Sequence, residues 1–110
     1  MSKLSFCVSL SPYEAFKLVR DEENAELVHE EWHDIDDSKQ IGTLVFEKYY
    51  FRSKNRAALV IIFDNFQGST EVRAIATGSS EGMIFNFDWG AADNFAQSVQ
   101  SILDCYVIED

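Results

Sequence analysis

Basic residues are scarce in this chain. Nine Lys and Arg stand against 19 Asp and Glu, a formal net charge of −10 over 110 residues. Such an average field repels a phosphate backbone, which argues against nucleic acid as a partner, and an anionic membrane surface is disfavoured for the same reason. The one local excess of positive charge is Lys48, Arg52, Lys54 and Arg56. It surrounds an expected hairpin turn, where positive side chains guard a sheet edge more often than they bind an anion. Cysteine is rarer still. Cys7 and Cys105, one near each end, read as free, buried thiols in apolar-patterned elements, the usual state of two isolated cysteines; a disulfide would need Cα atoms within about 7 Å. Long apolar runs are missing too. No stretch reaches the roughly 18–20 apolar residues of a membrane span. The N-terminal MSKLSFCVSLSPYE alternates instead of forming a signal-peptide core. These absences lead us to expect a soluble, cytoplasmic protein. One proline and five glycines leave no linker, repeat or low-complexity tract, so residues 1–110 are read as one domain with one core.

Aromatic residues are abundant: nine Phe, four Tyr and two Trp. Their elements follow from hydrophobic period. Leu4, Phe6, Val8 and Leu10 alternate with Ser5, Cys7, Ser9 and Ser11, the pattern of a strand with one buried face. Ser11-Pro12-Tyr13-Glu14 starts a helix, with Ser11 as N-cap, Pro12 in the first helical position and Glu14 closing a capping box. Ala15, Phe16, Leu18 and Val19 form its stripe, and it is expected to fray within 20–24. Residues 25–35, AELVHEEWHDI, are rich in helix formers that would extend this helix. The alternation of Val28 and Trp32 with charged neighbours favours an edge strand. Asp36-Asp37-Ser38-Lys39 is a turn.

Ile41–Phe51 and Ala57–Phe63 (AALVIIF) read as a long strand and a central strand. Residues 65–69 turn around Gly68, 71–77 alternate, 78–82 form a hairpin loop, and 83–87 make a last strand. From Asp88 to Glu109, the residues Ala92, Phe95, Ala96, Val99, Ile102, Leu103 and Tyr106 recur at helical spacing. Asp88 suits its N-cap, and Trp89 either anchors that corner or gates a cavity below it. The order is β-α-β-β-β-β-β-α: an α+β fold with an antiparallel sheet of five to six strands and the last helix across it.

That order resembles a helix-grip or TBP-like arrangement. With the string GSSEGMIFNFDWGAADNF and the Ser-Pro helix start, the chain also looks like members of small bacterial families of unassigned function. Larger helix-grip proteins bind apolar ligands between sheet and helix, or catalyse there. The resemblance therefore implies a cavity in this layer, on a smaller scale in so short a chain. A TBP-like sheet binds DNA only through a basic face, which this composition does not supply.

His29-Glu30-Glu31-Trp32-His33 matches HExxH. On a helix, His29 and His33 would bind zinc one turn apart, with Glu30 as general base. Against this stand Glu31 and Asp34, which are charged where a protease helix is apolar. On a strand, His29, Glu31 and His33 share one face at about 7 Å intervals. They then form either a solvated face with two histidines or a surface metal site. The loop 77–82 lacks the lysine and following helix of a phosphate cradle. The acidic run from Glu22 to Asp37 is a solvated face, open to a basic partner or divalent cations. No Ser-His-Asp or Cys-His arrangement emerges.

Three functions are compatible with these residues. The leading one is a non-enzymatic domain that binds an apolar ligand or a protein partner through its sheet–helix layer, lined by Phe46, Tyr50, Phe63, Phe85, Phe87, Trp89, Phe95 and Tyr106. The second is a homodimeric interaction protein, because Tyr49-Tyr50-Phe51 puts aromatics on both faces of one strand and only one face can meet the helix. The third is a metal site or metal-dependent hydrolase at His29 and His33, for which no nucleophile or oxyanion donor is evident.

Overall fold

A computed structural model describes residues 2–51, 54–80 and 89–108. The chain runs β1 (Ser2–Val8), α1 (Pro12–Glu22), β2 (Glu26–Asp36), β3 (Lys39–Tyr50), β4 (Asn55–Asp64), β5 (Thr70–Ser80), α2 (Trp89–Ile102), a 3₁₀ turn (Asp104–Tyr106) and β6 (Val107–Ile108). Six strands form one sheet in the order β2-β3-β4-β5-β1-β6. Every pairing is antiparallel. The fold is α+β, as expected.

Local chemistry accounts for most element ends. Ser11 caps α1 through the expected box: Glu14 N donates to Ser11 Oγ at 3.2 Å, and Ser11 N donates to Glu14 Oε1 at 3.0 Å. In the β2–β3 hairpin, Asp36 Oδ1 accepts from Ser38 N at 2.8 Å and Lys39 N at 3.0 Å. These bonds favour the charged form and hold its carboxyl below the usual aspartate range. The β4–β5 turn needs Gly68, whose φ of 101° suits no L side chain well.

Residues 26–36 are a strand, not a continuation of α1. Almost every β2 side chain is exposed and only Trp32 is half-buried. The strand lies at the sheet edge, with register shifts between Leu27 and His29 and between Asp34 and Asp36. Charge and irregularity of this kind protect an edge from pairing with another chain.

The pleat sorts the sheet into two faces. On one, Leu44, Phe46, Leu59, Ile61, Phe63, Val72, Ala74 and Ala76 are buried with Ala15, Phe16 and Val19 of α1 and Phe95, Ala96, Val99 and Leu103 of α2. Both helices cover this face. α1 rests on β3 and β4, and α2 rests mainly on β5 and β1. The small side chains of Ala74 and Ala76 let α2 come close. Under α1, Gly42 plays the same part: a Cβ there would lie 2.6 Å from both Phe16 Cδ2 and Trp32 Cε3.

The C-terminus departs from the expected helix to residue 109. α2 stops at Ile102, and the 3₁₀ turn leads into β6, where Val107 and Ile108 pair with Val8 and Cys7. Apolar spacing runs on through Tyr106, but the free edge of β1 offers ladder hydrogen bonds that win over one more helical turn. Tyr106 is therefore on the turn and exposed, and Cys105 is exposed instead of buried. Cys7 is half-buried on the face away from the helices, and the two thiols are not joined. The expected strand 83–87, the end of the hairpin loop 78–82 and the Asp88 cap lie outside the described residues.

Candidate functional site

The face away from the helices is the most distinctive surface of the fold. Strand register sets its rows. Val45, Val60 and Ile75 stand side by side across β3, β4 and β5, continued by His29 on β2 and Lys3 on β1. Thr43, Ile62 and Arg73 form the next row, with Glu31 and Ser5 at its ends, and Glu47, Ala58 and Thr77 the row on the other side. Val45, Val60, Ile62 and Ile75 are all half-buried. Among the described residues no helix or loop lies over them. They are neighbours across the sheet and together form a contiguous apolar stretch on this side. The continuous run AALVIIF signalled this: a strand apolar at every position is apolar on both faces, and an antiparallel sheet with one helical layer covers only one.

Paired charges rim this surface. Arg56 Nη1 lies 3.2 Å from Glu47 Oε1, and the Arg56 guanidinium is 5.7 Å from the Tyr49 ring centroid. Tyr49 stacks edge-on to Phe51 at 5.2 Å. Arg73 Nη2 donates to Asp64 Oδ2 at 2.6 Å, and Ser5 Oγ donates to Glu71 Oε2 at 3.0 Å. As expected from the run Tyr49-Tyr50-Phe51, alternate rings point to opposite faces. Tyr50 sits on the helix side, 6.3 Å from Phe95, while Tyr49 sits on the open side.

His29, Glu31 and His33 lie on this same side of β2. Glu31 bridges the two rings: His29 Nε2 is 2.9 Å from Oε1, and His33 Nε2 is 3.3 Å from Oε2. The hydrogen bond with His29, then that with His33, holds the Glu31 carboxyl below its ordinary range. The strand geometry sets aside the helical HExxH arrangement, in which the rings would be one turn apart. Among the described residues, no group of three or more His, Cys, Asp or Glu is placed to hold a metal ion.

A concavity of about 390 Å³ lies between the end of α1 and α2, with Glu22, Glu23 and Asn24 on one side and Asn94, Gln97, Ser98 and Ser101 on the other. Its chemistry centres on one hydroxyl. Ser98 Oγ has Glu23 Oε1 at 2.8 Å, Glu23 Oε2 at 3.0 Å and the Phe95 carbonyl at 2.6 Å. One proton cannot serve three acceptors. Burial pushes the Glu23 carboxyl up, against the opposing pull of the Ser98 hydrogen bond. With the folded value above the unfolded one, this group's contribution to stability is full below the ordinary glutamate range and lost as pH rises through the folded value. Glu23→Gln should therefore stabilise the protein at neutral pH by about 0.5 kcal/mol, a small figure because solvent still reaches the group. It should also flatten stability above about pH 4.5. Urea melts of both proteins across that range provide the check; parallel pH profiles would contradict the assignment.

Of the eight aromatic positions expected to line a ligand site, the five with described side chains fall in different places. Phe46, Phe63 and Phe95 are buried in the core at 1%, 0% and 3% exposure. Tyr50 is half-buried with Lys48 Nζ 5.5 Å from its ring centroid, and Tyr106 is on the surface. Phe85 and Phe87 lie outside the described residues, and Trp89 opens α2. No helix among the described residues is long and apolar enough to cross a membrane. No curated protein and no solved structure matches the chain. Residues 5–107 match the model of one family, and the chain accordingly belongs to DUF6054, a family of unknown function.

Proposed function

We propose that this chain is a non-enzymatic interaction domain that binds a protein partner through the uncovered face of its sheet. The observation that carries the reading is the apolar row Val45–Val60–Ile75, with Ile62 beside it, over which no described element packs. Contiguous apolar surface of this kind marks a contact region more often than it is left to water. Paired charges at the rim and apolar side chains at the centre match the anatomy of protein interfaces. The sheet–helix layer supports a ligand site less well, because Phe46, Phe63 and Phe95 fill the core between sheet and helices.

A photo-crosslinking side chain at position 60 tests this reading in cells. Position 17, exposed on α1, is the control. Discrete protein adducts are expected from position 60 and none from position 17. Equal labelling from both positions, or no adduct from position 60, would overturn the assignment of the face.

A further inference from the structure

We propose that the occupant of the open face is a second copy of this chain, docked sheet to sheet about a twofold axis parallel to the strands. This rests on the open face being the working surface. Area is the first argument. Five strands about 4.8 Å apart, with ladders of seven to ten residues at about 3.4 Å per residue, present roughly 750 Å². That is close to the 800 Å² that one partner contributes to a standard interface. Two such faces stacked about 10 Å apart make a sandwich in which each copy supplies one sheet.

Self-complementarity is the second argument. In the order β2-β3-β4-β5-β1 the middle strand is β4, so a twofold parallel to the strands sets β4 on β4 and β3 on β5. Val60 then meets Val60 of the second copy, Ile62 meets Ile62, and Val45 meets Ile75. Apolar side chains fall on apolar side chains through the centre.

Charge decides the axis. A twofold running across the strands would lay β2 on β2 and bring Glu26 and Glu31 against the same acidic strand of the second copy. The axis parallel to the strands instead lays β2 over β1, with His29 opposite Lys3 and Glu31 opposite Ser5, and no acidic residue precedes Glu14 in the chain. The Arg73–Asp64 and Arg56–Glu47 pairs are already neutralised within each copy. The net charge of −10 is thus kept off the centre of the contact. At physiological salt, repulsion between charges beyond about 8 Å is screened.

Sedimentation velocity on the full chain at up to about 100 µM, a range that detects even weak pairing, is the test. Wild type is expected at twice the 12.6 kDa chain mass. Ile62→Lys opposes two lysines on the axis and should weaken self-association about 100-fold or more. Should that variant fail to fold, Ser5→Glu decides: it sets a carboxylate opposite Glu31 of the second copy and should weaken the dimer, and Ser5→Glu with Glu31→Lys should restore it. A wild-type monomer at all concentrations overturns the inference. If position 60 still crosslinks a different protein, the interaction reading stands without the second copy; if it crosslinks nothing, both fall. A dimer left intact by folded Ile62→Lys and by Ser5→Glu also overturns the proposed contact.

Discussion

Phe16→Ala is expected to lower the unfolding free energy by about 3–5 kcal/mol, the range for a large buried ring cut back to a methyl group. For a domain of this size that is a large share of total stability. Phe16 is 2% exposed and joins α1 to β2 and β4. Its ring lies 5.2 Å from Trp32, 5.8 Å from Phe63 and 6.2 Å from Tyr13. It also covers Gly42, where an added Cβ would strike both Phe16 and Trp32. Gly42→Ala alone should cost about 1–3 kcal/mol through overpacking. In the Phe16→Ala background the cost should fall, since one of the two obstructing rings is gone. Urea denaturation of the four proteins of this cycle measures the coupling. Additivity within about 0.5 kcal/mol would show that the two sites do not share the space described.

Asp64→Ala should cost about 2–3 kcal/mol, the scale of losing hydrogen bonds to a charged group while stranding its partner. Asp64 is 3% exposed although it ends a strand next to a turn. Its Oδ2 accepts from Arg73 Nη2 at 2.6 Å, and its Oδ1 accepts from Phe66 N at 3.2 Å. Arg73 Nε is buried with no hydrogen-bond partner among the described residues. Removing the carboxylate leaves the guanidinium half-desolvated and uncompensated. Arg73→Met in the Asp64→Ala background should recover most of the loss, because an apolar side chain replaces the stranded charge. Asp64→Asn should fall between, keeping an acceptor for Phe66 N. If the double variant is less stable than Asp64→Ala, the pair is not the source of the cost.

Legibility differed from element to element for physical reasons. The start of α1 was readable because a capping box is complete within four residues, Ser11 to Glu14. The strand at 26–36 was readable through Val28 and Trp32, although its composition favours helix. Glu, Ala and Leu can follow either conformation when an open sheet edge supplies the hydrogen bonds. The end of α2 was not readable, since periodic apolar residues continue past Ile102 and only the edge of β1 diverts Val107 and Ile108. Nor was the Glu23–Ser98 contact, whose partners are 75 residues apart and whose residue types are common. Asp64 and Arg73 likewise look like ordinary surface charges until the register places them side by side.

The sequence by itself determined the α+β class, the capped first helix, the two-residue period of most strands and the presence of aromatics on both sides of β3. All of these are local, because each depends on neighbours one to four positions away. Tertiary structure decided which face of the sheet received both helices and which, among the described residues, carries no helix. It put Phe46, Phe63 and Phe95 in the core, and Val60 and Ile62 outside it. That choice depends on strand order and on where two helices dock, and no local spacing encodes either. An apolar run such as AALVIIF states that both faces avoid water; only the packed sheet shows which one the helices cover.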